Sequence, residues 1–270
     1  WALTPHGQAA ADAFHFMRTH DRGNPHTPLL VILDHLAGYN GYTGKTWGVL
    51  PRTPADQEIA DLLETQLFGG VPRRTLPGNP TNPEANYLQP TRQGELCDVV
   101  LSTATGAFMG RYPVLLLAGD LEFGPGLVRE LETALSLGSR LLLRDRHVKA
   151  LSPEAWGRLQ RAGATEIQPE WVHPGTRRPA AIPEERLLRV AAETLPVSVE
   201  GDAIQYQINR NGRGWVVELI NNDGVVKTGR TPAQVLPEAV ARIRLTPRFN
   251  CTAVREWSTR RTWEPDRKST

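Results

Sequence analysis

Residues 112–147, YPVLLLAGDLEFGPGLVRELETALSLGSRLLLRDRH, constrain the fold more than any other stretch of the chain. The apolar run 114–118 is short and uninterrupted, the pattern of a parallel strand covered on both faces. Gly119-Asp120 ends it. Pro125 suits the first turn of a helix, where its missing N–H would have no partner anyway. Leu127, Val128, Leu131, Ala134, Leu135 and Leu137 then recur on one helix face, with Arg129, Glu130, Glu132 and Thr133 on the other. Gly138 supplies a helix stop, and 141–143 is the next buried strand. Strand, helix and strand at this spacing predict a right-handed crossover within a parallel sheet.

The flanking segments extend that pattern. The run LLVIL at 29–33 is the strongest strand signal, fed by the turn-rich DRGNPHTP at 21–28. A helix is expected at 55–68, with Ile59, Leu62, Leu63 and Leu67 inward. A strand at 99–102 is entered from Cys97-Asp98, and 103–111 allows a short helix. Between them, the proline-rich 71–96 reads as a long loop of the kind that is functional, a partner contact or mobile. Ser152-Pro153 opens a helix whose apolar face is Trp156, Leu159 and Ala162. The Pro- and Arg-rich 172–183 marks a boundary, and a short helix at 184–193 bridges it. Beyond Pro196 the texture changes to alternation, at 204–208 and 215–220, with Asn211-Gly212 between them as a hairpin signal. The expected architecture is α/β: a flavodoxin-like parallel sheet with helices on both faces, followed by a small antiparallel β-sandwich domain. The divisions are 1–27 (helix and linker), 28–175 (α/β domain), 176–195 (linker helix) and 196–270 (β domain).

Several function classes are disfavoured at once. A formal net charge of +2 gives no polyanion-binding surface, so no nucleic-acid partner is expected. Cys97 and Cys251 are far apart, which excludes a disulfide framework and argues against a thiolate metal site. No run of about 20 apolar residues exists, so no membrane-spanning helix is expected. His6, His15, His20 and His26 are spaced by nine, five and six residues, which repeats no i, i+4 pair on a helix face. They read as surface or capping histidines rather than zinc ligands. Gly44-Lys45-Thr46 mimics the end of a phosphate-binding loop. However, Tyr39 stands where that loop needs glycine, and Gly48, Pro51 and Pro54 forbid the helix that must follow. The opening WALTPHGQ reads like mid-protein sequence, as of a processed chain or a piece of a longer one.

Two sets of side chains are candidates for chemistry. Asp34, His35, Asp120, Glu122, Asp145 and His147 all fall just after strands, where open parallel sheets bind ligands. Acids with histidines suit metal binding or acid–base work, although strand-end acids also serve as ordinary caps. Tyr206, Trp215, Trp257 and Trp263 are candidates for carbohydrate stacking, with core packing as the plainer role.

The order of the segments TPHGQ (4–8), DRGNPHTPLLVILDH (21–35), YPVLLLAGD (112–120) and INRNGRGWVVELINNDGVVKT (208–228) resembles the carboxyl-terminal half of family 42 β-galactosidase-type glycoside hydrolases. In that family a catalytic barrel is followed by a flavodoxin-like domain related to class I glutamine amidotransferases, the trimerisation domain, and then by a small β domain. The resemblance implies an upstream barrel as partner, a homo-oligomer, a possible carbohydrate ligand and no cofactor. Amidotransferases place a cysteine on a strand-to-helix elbow, activated by an oriented histidine. Here 141–144 runs into Asp145-Arg146, with no cysteine. The two carboxylates of a glycosidase would belong to a barrel this chain is too short to contain. The expectation is a non-catalytic accessory and oligomerisation module of a carbohydrate-active protein. The alternative is a small-molecule or sugar-binding enzyme or sensor using the strand-end crevice.

Overall fold

The computed structural model describes residues 2–40, 44–67, 91–170, 181–212, 214–221, 225–226 and 234–263. The chain is organised on five parallel strands: β1 (Leu29–Leu33), β2 (Cys97–Leu101), β3 (Val114–Leu117), β4 (Arg140–Arg144) and β5 (Thr165–Gln168), in the order β2-β1-β3-β4-β5. Leu29 pairs with both Cys97 and Val114, Val114 with Arg140, and Leu141 with Thr165. The central strands β1 and β3 are buried at every position, which is why both read as unbroken apolar runs. The edge strands are less apolar and leave Val99, Leu101 and Ile167 exposed. From β1 the chain steps to one side to make β2, then returns to the other to make β3. That reversal makes the carboxyl ends of β1 and β3 the topological switch point of the sheet.

The helices are α1 (Pro5–Thr19), α2 (Pro54–Asp61), α3 (Gly106–Met109), α4 (Pro125–Ser136), α5 (Asp145–Ala150), α6 (Pro153–Ala162) and α7 (Glu184–Thr194). The period-two alternation of strands divides the core into two layers. Leu30, Ile32, Leu115, Leu117, Leu141 and Leu143 face α4 and α6, meeting Leu131, Leu135 and Leu159. Leu29, Val31, Leu33, Leu116 and Leu142 face the opposite way, against Ile59 of α2 and Leu187 and Val190 of α7. The segment expected to link two domains therefore packs on the sheet. Tyr206 and Ile208 from the β region join the same layer.

Local chemistry sets the helix ends. Thr53 and Asp56 form a reciprocal capping box at the start of α2, and Ser152 caps α6. Past Asp61 the helix continues as a π-helical turn, Leu62–Leu67, which still buries Leu62, Leu63 and Leu67. The short α3 packs so closely on α4 that a Cβ on Gly106 would lie 2.3 Å from the Glu130 carbonyl oxygen. The apolar residues of α1, Ala9, Ala10, Ala13, Phe14 and Met17, are all exposed.

The carboxyl-terminal part forms separate small antiparallel sheets. β6 (Val197–Gly201) pairs with β9 (Ile243–Pro247). The hairpin β7 (Gln205–Asn211) and β8 (Gly214–Ile220) turns at Asn211-Gly212, where Gly212 has φ +52°. Asn24–Pro25, ahead of the α/β part, adds to its edge by pairing with Arg210 and Asn209. Val225–Val226 pairs with Gln234–Val235, and Val254–Arg255 with Thr262–Trp263. Most of the 71–96 loop, most of the 172–183 boundary and the turn at 222–224 lie outside the described residues.

Candidate functional site

Asp34 follows β1 at the switch point between β1 and β3. Its Oδ1 accepts the Leu36 N–H at 2.8 Å and its Oδ2 the Glu122 N–H at 3.0 Å. Asp34 thus caps the turn after β1 and ties it to the loop after β3. Glu122 contributes its backbone here, and its side chain points to solvent. His35 donates its backbone N–H to Ser102 Oγ at 3.0 Å. Its ring Nδ1 lies 3.3 Å from the same oxygen and 3.5 Å from Asp34 Oδ1. Ser102 follows β2 directly, whereas the apolar pattern reads it as the last residue of that strand and does not single it out. The imidazole is held through Nδ1, its Nε2 meets no partner among the described residues, and the side chain is 45% exposed. Gly44-Lys45-Thr46 leads into a tight turn bridged at Thr46 and Leu50, not into the helix whose N-terminus would face a phosphate.

A second cluster fills the strand-to-helix elbow after β4. Glu58 of α2 is 1% exposed, and its carboxylate takes two guanidinium groups. Arg144 Nη2 lies 2.8 Å from Oε1, and Arg146 Nη2 2.5 Å from Oε2. Glu170 binds both arginines from the rim, at 3.3 and 3.2 Å. Burial pushes the Glu58 carboxyl above the usual range, with Arg144 and then Arg146 pulling it back. Arg144 is pushed down, chiefly by burial. His147 is 2% exposed: Nδ1 accepts the Arg144 N–H at 3.1 Å and Nε2 bonds the Gly119 carbonyl at 2.8 Å. Those partners fix the neutral tautomer with the proton on Nε2. Burial, with Arg146 and Arg144 adding repulsion, holds its pKa down to about 4.

The sequence candidates therefore separate. Asp34 and His35 lie at the switch point of the sheet; His147 is buried in the elbow. Asp145 is an exposed acid in the first turn of α5, where the helix N-terminus favours it. Asp120 is largely exposed and reaches Arg146 Nε at 3.4 Å. Glu58, Arg144, Arg146 and Glu170 were missed. The signal for Glu58 was a carboxylate at helical spacing with Ala55 and Leu62 on an apolar face. Cys97 opens β2 at the opposite end of the sheet, and burial raises its thiol to about 12.

The aromatic candidates pack in different ways. Tyr206 is buried, its hydroxyl donates to the Arg92 carbonyl at 3.1 Å, and burial raises its pKa to about 12. Trp215 lies under the Arg210 guanidinium, 4.6 Å from the ring centre, with His26 edge-on at 5.0 Å. Trp257 meets His20 at 5.2 Å and Phe16 at 6.4 Å. Trp263 is half-exposed. Two of the four histidines flagged near the amino terminus thus serve as aromatic partners. No group of three metal-ligating side chains occurs among the described residues, and no described helix is long and apolar enough to cross a membrane.

The chain matches no family model, no curated protein and no solved structure.

Proposed function

We propose that this chain is a non-catalytic accessory and oligomerisation module of a carbohydrate-active, glycoside hydrolase-like protein. Its α/β part is then a flavodoxin-like, amidotransferase-related scaffold whose nucleophile has been lost, and its β region a sandwich-like companion. The strand order β2-β1-β3-β4-β5 supports the flavodoxin-like reading. One observation carries the loss of chemistry. The elbow where an amidotransferase needs a thiolate is occupied by Arg144 and Arg146, closed on the buried carboxylate of Glu58. The histidine beside it, His147, has both ring nitrogens engaged by backbone, so it has no free nitrogen to take a proton from a nucleophile.

Self-association is supported by α1. Trp257 meets its carboxyl-terminal end, but the side carrying Ala9, Ala10, Ala13, Phe14 and Met17 is exposed, and a helix of this length is marginal in water without cover. A second copy of the chain is the proposed cover. An upstream catalytic barrel remains the proposed partner within a longer protein. The test of the non-catalytic reading is direct. The purified chain is expected to release no ammonia from glutamine and no nitrophenol from nitrophenyl β-galactoside above the buffer rate. Turnover of either, abolished by Arg144→Ala or His35→Ala, would overturn it.

A further inference from the structure

The elbow after β4 holds two carboxylates on the same pair of arginines, and they fit differently. Glu58 sits close, taking Arg144 Nη2 at 2.8 Å and Arg146 Nη2 at 2.5 Å. Glu170 reaches in from the chain just past β5 and meets three donors. Its Oε2 accepts Arg144 Nη1 at 3.3 Å and Arg146 Nη1 at 3.2 Å, and its Oε1 accepts the Arg146 backbone N–H at 3.3 Å. Both guanidinium contacts are longer than the about 2.7–2.9 Å at which such a donor settles on a carboxylate. Glu58 is the fitted counter-ion, whereas Glu170 is a tethered occupant held at arm's length.

The donors do not depend on Glu170 for their placement. Arg144 is anchored through Nη2 on Glu58, and Arg146 through Nη2 on Glu58 and on the Gly119 carbonyl at 3.0 Å. The Glu170 side chain, in contrast, is 39% exposed. If it swings away, two guanidinium N–H groups and one backbone N–H still converge on one place, already oriented. Charge points the same way. Two guanidinium charges share one buried carboxylate, so one positive charge is left for an occupant at the rim to balance. Asp120, exposed and 3.4 Å from Arg146 Nε, supplies part of that balance and disfavours a second negative charge on the occupant. We propose that this elbow binds a carboxylate-bearing small molecule, and that Glu170 is an internal stand-in which the ligand's carboxylate displaces. The ligand class follows from the group seated there, a singly charged planar oxyanion of the kind arginine recognises. Displacement costs little, because a partly exposed ion pair contributes little. The site rests on these contacts alone and is independent of self-association.

The test is urea unfolding at fixed ionic strength, with sodium acetate exchanged for sodium chloride. A ligand that binds only the folded chain raises the midpoint as its concentration passes Kd. Each variant is read against its own midpoint in chloride, so a loss of stability from the substitution does not enter. Glu170→Ala vacates the place, and its acetate response is expected to half-saturate at a concentration about tenfold below that of the parent, where Glu170 competes. Adding Arg146→Lys to Glu170→Ala keeps the charge but removes the second guanidinium N–H, and should abolish the response. Inorganic phosphate should half-saturate Glu170→Ala only above the acetate concentration that does so. A Glu170→Ala midpoint indifferent to acetate would overturn the proposal, as would equal half-saturation in the parent. So would a response that survives Arg146→Lys, or phosphate acting below acetate. Any of these in a chain that still self-associates would overturn this site alone.

Discussion

Replacing Glu58 with alanine is expected to destabilise the chain by about 3–5 kcal/mol, the usual cost of removing one partner from a buried charge pair. The carboxylate is the shared counter-ion of Arg144 and Arg146, and it links α2 to the elbow after β4. Arg144 is itself 2% exposed, so water cannot replace the lost partner. Glu170 binds the same arginines from a partly exposed position and compensates weakly. Glu58→Gln, which keeps the shape and one acceptor, should fall between the two. The double change Glu58→Leu with Arg144→Met should recover most of the loss, because burial opposes the charge of both groups. The cluster therefore specifies the packing of α2 more than it adds net stability. Urea unfolding read by far-UV dichroism measures each variant. A Glu58→Ala midpoint close to that of the parent would mean that the cluster does not hold the elbow.

Acid should act through His147. Its folded pKa, about 4, lies below the ordinary value of 6.5. The unfolded chain therefore takes up a proton before the folded one does. The stability that this neutral histidine carries is complete above about pH 6.5 and is lost as the pH falls towards 4, on the order of 3 kcal/mol in all. Protonation would put a proton on Nδ1, break its bond from the Arg144 N–H and add a third cation to the elbow. Glu58 runs the other way. Its raised carboxyl pKa favours the folded chain as acid protonates it. The histidine contribution is isolated by the difference between parent and His147→Gln. Urea midpoints measured from about pH 7 to about pH 4 should fall more steeply in the parent. Parallel curves would contradict a buried neutral His147.

Much of this fold is visible in the residues. The unbroken apolar runs of β1, β3 and β4 require two-sided cover, and Pro125, Ser152-Pro153 and Asn211-Gly212 place a helix start, another helix start and a hairpin turn. What escapes a reading of pattern is long-range. Periodicity cannot show that α7 packs on the sheet, because an amphipathic helix looks the same over a sheet as between domains. Nor can it show that Asn24–Pro25 would find the edge of a hairpin nearly two hundred residues later. Strand-end position singled out Asp34, His35 and His147 as candidates. It could not tell an exposed imidazole from one enclosed by backbone. Glu58 was hidden because its partners come from the end of β4, far along the chain. Tyr206 and Trp215 alternate as either a core or a platform would, and only burial and the Arg210 contact distinguish those roles.

The proposed module role requires that this chain self-associates. Sedimentation equilibrium over a range of concentrations tests it most directly. The expected mass is an integer multiple of the 29.9 kDa chain mass, falling to the single mass when Phe14 and Met17 on the exposed side of α1 are both changed to glutamate. A mass of 29.9 kDa at every concentration would contradict it, as would an assembly indifferent to those two changes.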